Sequence, residues 1–237
     1  YNKTEMEYHN FKYNYVDIWG AKAFRISNLN KKDITNFVVS ARYYDRNYKE
    51  QPNFEADPYS FFSILKNYFL GIGISSRHYV KDKYIFNFGI DEDIAVGKIA
   101  GIIAGVQDRP NDERYYLAGR VAAGGYLSTG YLGAELQYGS FFREGKTEQT
   151  AINLKTLYFS KIMTAGRWKF RQFNRINYTV GHNRWDTPAD ELTLNEHDFE
   201  GMDGIRRGRS MGGNQRLMAE FQTQSYSPYE FLGFRIS

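Results

Sequence analysis

The sequence predicts an all-β fold, an antiparallel transmembrane β-barrel of which about ten or eleven strands are present. Three observations lead there. Apolar and polar residues alternate with period two over most of the chain. The chain is aromatic without being greasy: Tyr 20, Phe 18 and Trp 3 make 17% of its 237 residues, yet its mean hydropathy is −0.60. The alternating segments run about 12–15 residues, whereas strands of soluble sandwiches typically hold about 5–6.

The segments follow in order. Residues 11–24 are strand-like. Phe37, Val39, Ala41 and Tyr43 then alternate with Asn36, Ser40 and Arg42, and Tyr68, Leu70, Ile72 and Ile74 with smaller residues. Segments 83–91 and 94–107 also read as strands, with noisier faces. From Arg114 to Leu127, Tyr115, Leu117, Val121 and Ala123 lie opposite Arg114, Tyr116 and Arg120. A turn near Ser128-Thr129-Gly130 leads into Leu132, Ala134, Leu136, Tyr138 and Phe142, with Glu135, Gln137 and Arg143 on the other face. Ile152, Leu154, Tyr158 and Ile162 oppose Asn153, Lys155 and Lys161. The alternation is sharpest from 167 to 180, where Trp168, Phe170, Ile176, Tyr178 and Val180 face away from Arg167, Lys169, Arg171 and Arg175.

Pro52, Pro58, Pro110, Pro188 and Pro228 all fall between these segments, as expected of a residue that cannot donate to an interior ladder. The connections at 108–112 and 144–146 are short, and those at 46–60 and 182–213 are long. One β domain over 1–237 is the economical reading. The chain begins at Tyr1 and stops at Ser237 in strand-like sequence, so the barrel is expected to be incomplete at both ends.

Composition excludes several classes. With Cys 0 there is no disulfide framework. No run of about 18 apolar residues could form a spanning helix, although a spanning strand needs only about ten residues of alternating character. A net charge of +4 is too small to argue for nucleic acid. There is no phosphate loop, dinucleotide fingerprint or nucleophile elbow. His182 and His197 lack metal-pair spacing, so no metal site and no cofactor is expected. The acidic run Asp186, Asp190, Glu191, Glu196, Asp198, Glu200 and Asp203 fits no calcium loop and reads as a solvated loop.

Face composition favours a membrane barrel over a soluble sandwich. The apolar faces mix Leu, Val and Ile with Gly and Ala instead of carrying uniformly large core residues. Aromatics such as Tyr115, Tyr116, Phe141, Phe142, Phe159 and Trp168 gather at strand ends, like interfacial girdles. Arg120, Glu135, Lys155, Arg171 and Arg175 would then line a wet lumen.

Residues 195–224 contain Ile205-Arg206-Arg207-Gly208, then Gly212-Gly213-Asn214, then Glu220. This resembles the barrel of the bacterial surface-antigen (BamA/TamA) superfamily. There, a long extracellular loop folds into the lumen on a Val/Ile-Arg-Gly-aromatic tip, and the next strand opens on a Gly-Gly-Asn-like start and carries an inward Glu. The chain departs from the pattern in its extra Arg207 and in Arg209 at the aromatic position, so either Arg206 or Arg207 is the tip arginine. The resemblance implies about 16 strands in the intact barrel, a 182–213 loop entering the lumen, and Glu220 as its partner on the wall. A buried arginine needs such a carboxylate.

The same resemblance implies a bacterial outer-membrane location and a non-enzymatic role, the insertion or translocation of other outer-membrane proteins. Its partners would be outer-membrane lipids, unfolded outer-membrane proteins and periplasmic domains or lipoproteins, and not nucleic acid. Two other roles stay open from the residues alone. The cationic face of Arg167, Lys169, Arg171 and Arg175 suits an anion-preferring channel, unless those cations pair with Glu135 or with the acidic loop. The barrel could also anchor a separate enzymatic or binding domain.

Overall fold

The computed structural model describes residues 12–26, 33–50, 62–110, 112–185, 190–194, 212–231 and 234–235. Among them there is no helix. The strands are β1 (Lys12–Ile26), β2 (Ile34–Glu50), β3 (Leu65–Lys83), β4 (Asp91–Arg109), β5 (Asp112–Tyr126), β6 (Gly130–Arg143), β7 (Lys146–Ser160), the short β8 (Met163–Ala165), β9 (Trp168–His182), β10 (Gln215–Tyr226), and a small pair, β11 (Glu230–Phe231) and β12 (Phe234–Arg235). The first ten form one antiparallel sheet in the order β1-β2-β3-β4-β5-β6-β7-β9-β10, with β8 paired only to β9. The sheet is open, with β1 and β10 at its edges. The all-β, antiparallel expectation is met.

Turn chemistry sets the register. Leu127 and Gly130 exchange backbone hydrogen bonds across Ser128-Thr129. Glu144 and Gly145 both have positive φ (49° and 76°), the combination that a two-residue hairpin requires and that matches the right-handed twist of its strands. Two expectations are corrected. Segment 83–91 is mostly not a strand: the chain turns at 84–90, with Tyr84 and Gly89 at positive φ (62° and 71°). The backbone amides of Ile85, Phe86 and Asn87 donate to the Glu92 carboxylate at 2.9–3.1 Å, which satisfies the turn and holds it closed. The second correction is at 46–60, where β2 runs on to Glu50 by pairing with Lys12. Its polar residues read as a loop because β-propensity depends on the neighbouring strand.

The register aligns rows of side chains across nine strands. One row reads Phe24, Phe37, Ile74, Ala100, Val121, Leu136, Leu154, Tyr178 and Leu217. The adjacent row, on the opposite face, reads Arg25, Asn36, Ser75, Ile99, Ala122, Glu135, Lys155, Asn177 and Met218. Farther along the apolar face Ile18, Tyr43, Tyr68, Val106, Tyr115 and Phe142 form an aromatic-rich rim. One step beyond it stand Asp45, Lys66, Asp108 and Glu113.

The sheet is curled with the polar face concave. β3 and the turn that follows it reach β9 and β10 in space, through bonds such as Arg171 to Asp82 and Tyr226 to Tyr84, although β5, β6 and β7 intervene in the sheet. Burial is inverted relative to a water-soluble domain. Among the described residues eleven buried side chains are polar or charged and six are apolar. Meanwhile Leu70, Leu217 and Phe221 on the convex face are 69%, 65% and 71% exposed. The apolar cluster found among the described residues, Ile85, Ile94, Phe159 and Phe173 with Tyr131 against it, lies on the concave side.

Candidate functional site

The concave face is the candidate site, because the polar groups are concentrated there. A cavity of about 960 Å³ lies on it, bordered by Arg77, Glu135, Lys155, Arg175, Leu194 and Glu220. Several of the charges on the wall are paired. Arg175 and Glu220 are directly opposite in register and their side chains meet at 2.6 Å. Arg120 on β5 bonds Glu135 on β6, and Gln137 donates to the same carboxylate. Asn153 donates to Asn177 and Thr179 on β9, both at 2.7 Å.

At the end of the sheet where β9 gives way to β10, a buried polar network holds the root of the connecting segment. Arg114, its side chain 1% exposed, donates to Gln107 on β4 and, at 3.0 Å, to Glu148 and Gln149 on β7. Gln107 donates to Asn67 on β3 at 3.0 Å. The Trp185 ring centre lies 5.0 Å from the Arg109 guanidinium and 4.9 Å from that of Arg114, within cation–π range. Asp190 accepts from the Trp185 amide at 2.7 Å and from Gln149 at 3.1 Å, and pairs with Arg184 at 2.6 Å. Leu192 and Gly213 exchange backbone bonds at 2.9 and 3.0 Å, and Arg216 donates to the Thr193 carbonyl at 3.1 Å. The described parts of the connection, 183–185, 190–194 and 212–214, therefore run along the concave face.

At the opposite end the wall meets the β3–β4 turn. Asp82 receives both terminal nitrogens of Arg171 at 3.1 and 3.2 Å, the Tyr126 hydroxyl at 2.8 Å and the Lys83 amide at 2.7 Å. Arg171 is 2% exposed and lies over the Phe159 ring. Lys169 bonds the Tyr84 hydroxyl at 2.9 Å.

Comparison with known proteins finds no family model, no curated protein and no solved structure that matches this chain. The site is accordingly read from its own residues. Of the sequence-predicted cations, Arg171 and Arg175 are paired with carboxylates, and among the described residues their partners are Asp82 and Glu220. Lys169 sits on Tyr84, and Arg167 lies in the turn before β9, over the Tyr229 ring. Gly212-Gly213-Asn214 leads directly into β10 at Gln215, with Asn214 accepting from the Gly181 amide at 2.7 Å. Ile205, Arg206, Arg207 and Gly208 lie outside the described residues. Sequence reasoning passed over Asp82, Arg114, Trp185 and Asp190 as site residues. Their partners are as many as 89 residues away along the chain, and a single strand's alternation gives only the face, not the partner.

Proposed function

We propose that this chain forms the wall of a bacterial outer-membrane β-barrel of the surface-antigen (BamA/TamA) type, one that inserts or translocates other outer-membrane proteins. The observation that carries the membrane reading is the inversion of polarity. The apolar row from Phe24 to Leu217 covers the convex face of nine strands, while charges are buried on the concave one. In water such a surface would expose a contiguous apolar patch far beyond what monomers tolerate. In lipid it is the expected outer band. The band's depth fits as well, since on β4 the convex residues between Lys98 and Asp108 are Ala100, Ile102, Ala104 and Val106, a span of about ten residues.

Assembly is preferred over anion conduction because four of the lumen arginines are neutralised in place. Arg171, Arg175, Arg120 and Arg114 each hold a carboxylate, which weakens the field available to select an anion. The assembly role itself draws on the resemblance of residues 195–224. It works by strand pairing and local membrane thinning and uses no catalytic group or cofactor. Its partners are outer-membrane lipids, unfolded barrel proteins and periplasmic domains or lipoproteins.

Two measurements test the reading. Cysteines at Leu132, Leu136, Leu154 and Val180 should resist a membrane-impermeant thiol reagent in intact outer membranes, whereas those at Glu135, Lys155 and Arg175 should react. Equal labelling of the two sets would end the barrel reading. Proteoliposomes containing the intact protein should accelerate folding of a urea-denatured outer-membrane protein. High steady conductance without such acceleration would replace assembly with a pore, and neither activity would favour an anchor.

A further inference from the structure

β3 and β4 are 19 residues each, but their neighbours β5 and β6 are 15 and 14. The surplus lies at the turn end. The β4–β5 ladder stops at Gly97 opposite Gly124, while β3 and β4 stay paired to Lys83 opposite Asp91. The β2–β3 ladder ends at Ile34 opposite Arg77, with His78 bonded to Asp33 just beyond it, so the hairpin 78–96 overhangs the rest of the wall.

Exposure records where the overhang goes. Within the wall the exposed residues of β3 are the even ones, Tyr68, Leu70, Ile72 and Ile74. Past Ser76 the parity reverses: Arg77, Tyr79, Lys81 and Lys83 are exposed and His78, Val80 and Asp82 are covered. On β4, Glu92, Ile94 and Val96 are covered while Asp91, Asp93 and Ala95 are exposed. The side that faces outward in the wall is thus laid against the concave face of β5, β6, β7 and β9. The strand pair has left the wall and tucked inside it. The bonds agree. Tyr131 on β6 donates to the Ala95 carbonyl at 2.9 Å, Ile85 and Ile94 pack with Phe159 and Phe173, and Tyr226 on β10 donates to the Tyr84 carbonyl at 2.9 Å. The rings of Tyr84 and Tyr226 are 4.7 Å apart.

The departure point is built from two glycines. A Cβ at Gly97 would lie 2.7 Å from the Arg77 Cα, and one at Gly124 would run into the Tyr131 hydroxyl. Only residues without side chains let the two strands separate there with their neighbours this close.

We infer that the β3–β4 overhang is a gate: it closes this mouth of the lumen by tucking against the inner wall, is latched by Asp82 on Arg171, and opens by swinging about the Gly97–Gly124 pair. The lumen is that of the barrel proposed above, but the hinge and latch stand on geometry alone. A fork of charge-assisted hydrogen bonds, backed by the bonds of Tyr126, Tyr131, Lys169 and Tyr226 and a small apolar cluster, is a suitable latch, strong enough to keep the gate closed yet releasable without unfolding the wall.

The test uses the intact protein with spin labels at Phe86→Cys on the turn and Thr164→Cys on β8, both exposed positions. In detergent the wild-type latch should give a dominant short distance. Asp82→Asn and Arg171→Gln should each add a longer population, raising the open-to-closed ratio about ten- to hundredfold. The reversed pair Asp82→Arg with Arg171→Asp should restore the short distance. In planar bilayers the same single variants should raise conductance and the reversal should lower it again. An unchanged single distance in both single variants, with folded protein confirmed by gel mobility, would make the hairpin a fixed plug and overturn the gate. Distances that respond while conductance does not would keep the hinge but overturn its role in closing a lumen. That outcome is distinguishable from failure of the barrel itself, which the thiol labelling reads.

Discussion

At one end of the sheet an apolar and aromatic cluster, Ile85, Ile94, Phe159, Phe173, Tyr84 and Tyr226, shares the hold on the overhang with one buried ion pair and with hydrogen bonds from Tyr126, Tyr131, Lys169 and Tyr226. At the other, the root of the β9–β10 connection is held almost wholly by directional polar bonds among Asn67, Gln107, Arg114, Glu148, Gln149, Arg184 and Asp190. Apolar contact is non-directional and can be exchanged for another apolar surface at modest cost. A buried polar network loses far more when one member is removed, because the remaining groups are left without partners. The first arrangement suits a part that moves, the second a part that must stay.

The largest effect should come from the polar end. Arg114→Ala strips Gln107 and Gln149 of a buried donor and Glu148 of its buried cation, and should destabilise the fold by about 3–5 kcal/mol. Urea titration followed by heat-modifiable gel mobility measures this, and a loss below about 1 kcal/mol would contradict the network's importance. At the apolar end Ile94→Ala should cost about 2–3 kcal/mol, but locally. Amide exchange should speed up across 78–96 and stay unchanged in β5 to β7, whereas uniform acceleration would make the two ends one cooperative unit.

Gly124→Val should cost about 1–2 kcal/mol by displacing Tyr131 from its stack on Phe159, whose ring centre is 4.9 Å away. Loss of the Tyr131 near-ultraviolet circular dichroism signal, judged against a Tyr131→Phe control, would register it. The smallest change is expected at Glu220→Gln. Its pair with Arg175 is half-exposed, and such pairs contribute at most about 1 kcal/mol. High salt should reduce the difference between wild type and variant. A larger, salt-independent loss would mean that Glu220 also serves a second, buried cation, as expected if Arg206 or Arg207 reaches it.

Much of the wall was legible in the sequence. Alternation placed Leu132, Leu136, Leu154 and Ile176 on one face and Glu135, Lys155 and Arg175 on the other, because the side-chain period of a strand is a local property of the backbone. Turn residues such as Glu144-Gly145 fixed two hairpins for the same reason. The overhang was not legible, since the faces of 78–83 and 91–96 are mixed in the sequence and the length of β3 and β4 relative to β5 and β6 shows only in the paired sheet. The network around Arg114 was hidden too, because it joins β3, β4, β5, β7 and the β9–β10 connection, residues that no local pattern relates. Local backbone geometry thus determined the strands, the faces and the short turns. The curl of the sheet decided which charges meet, and strand-length mismatch, a property of neighbours and not of any one segment, decided that one hairpin folds into the interior.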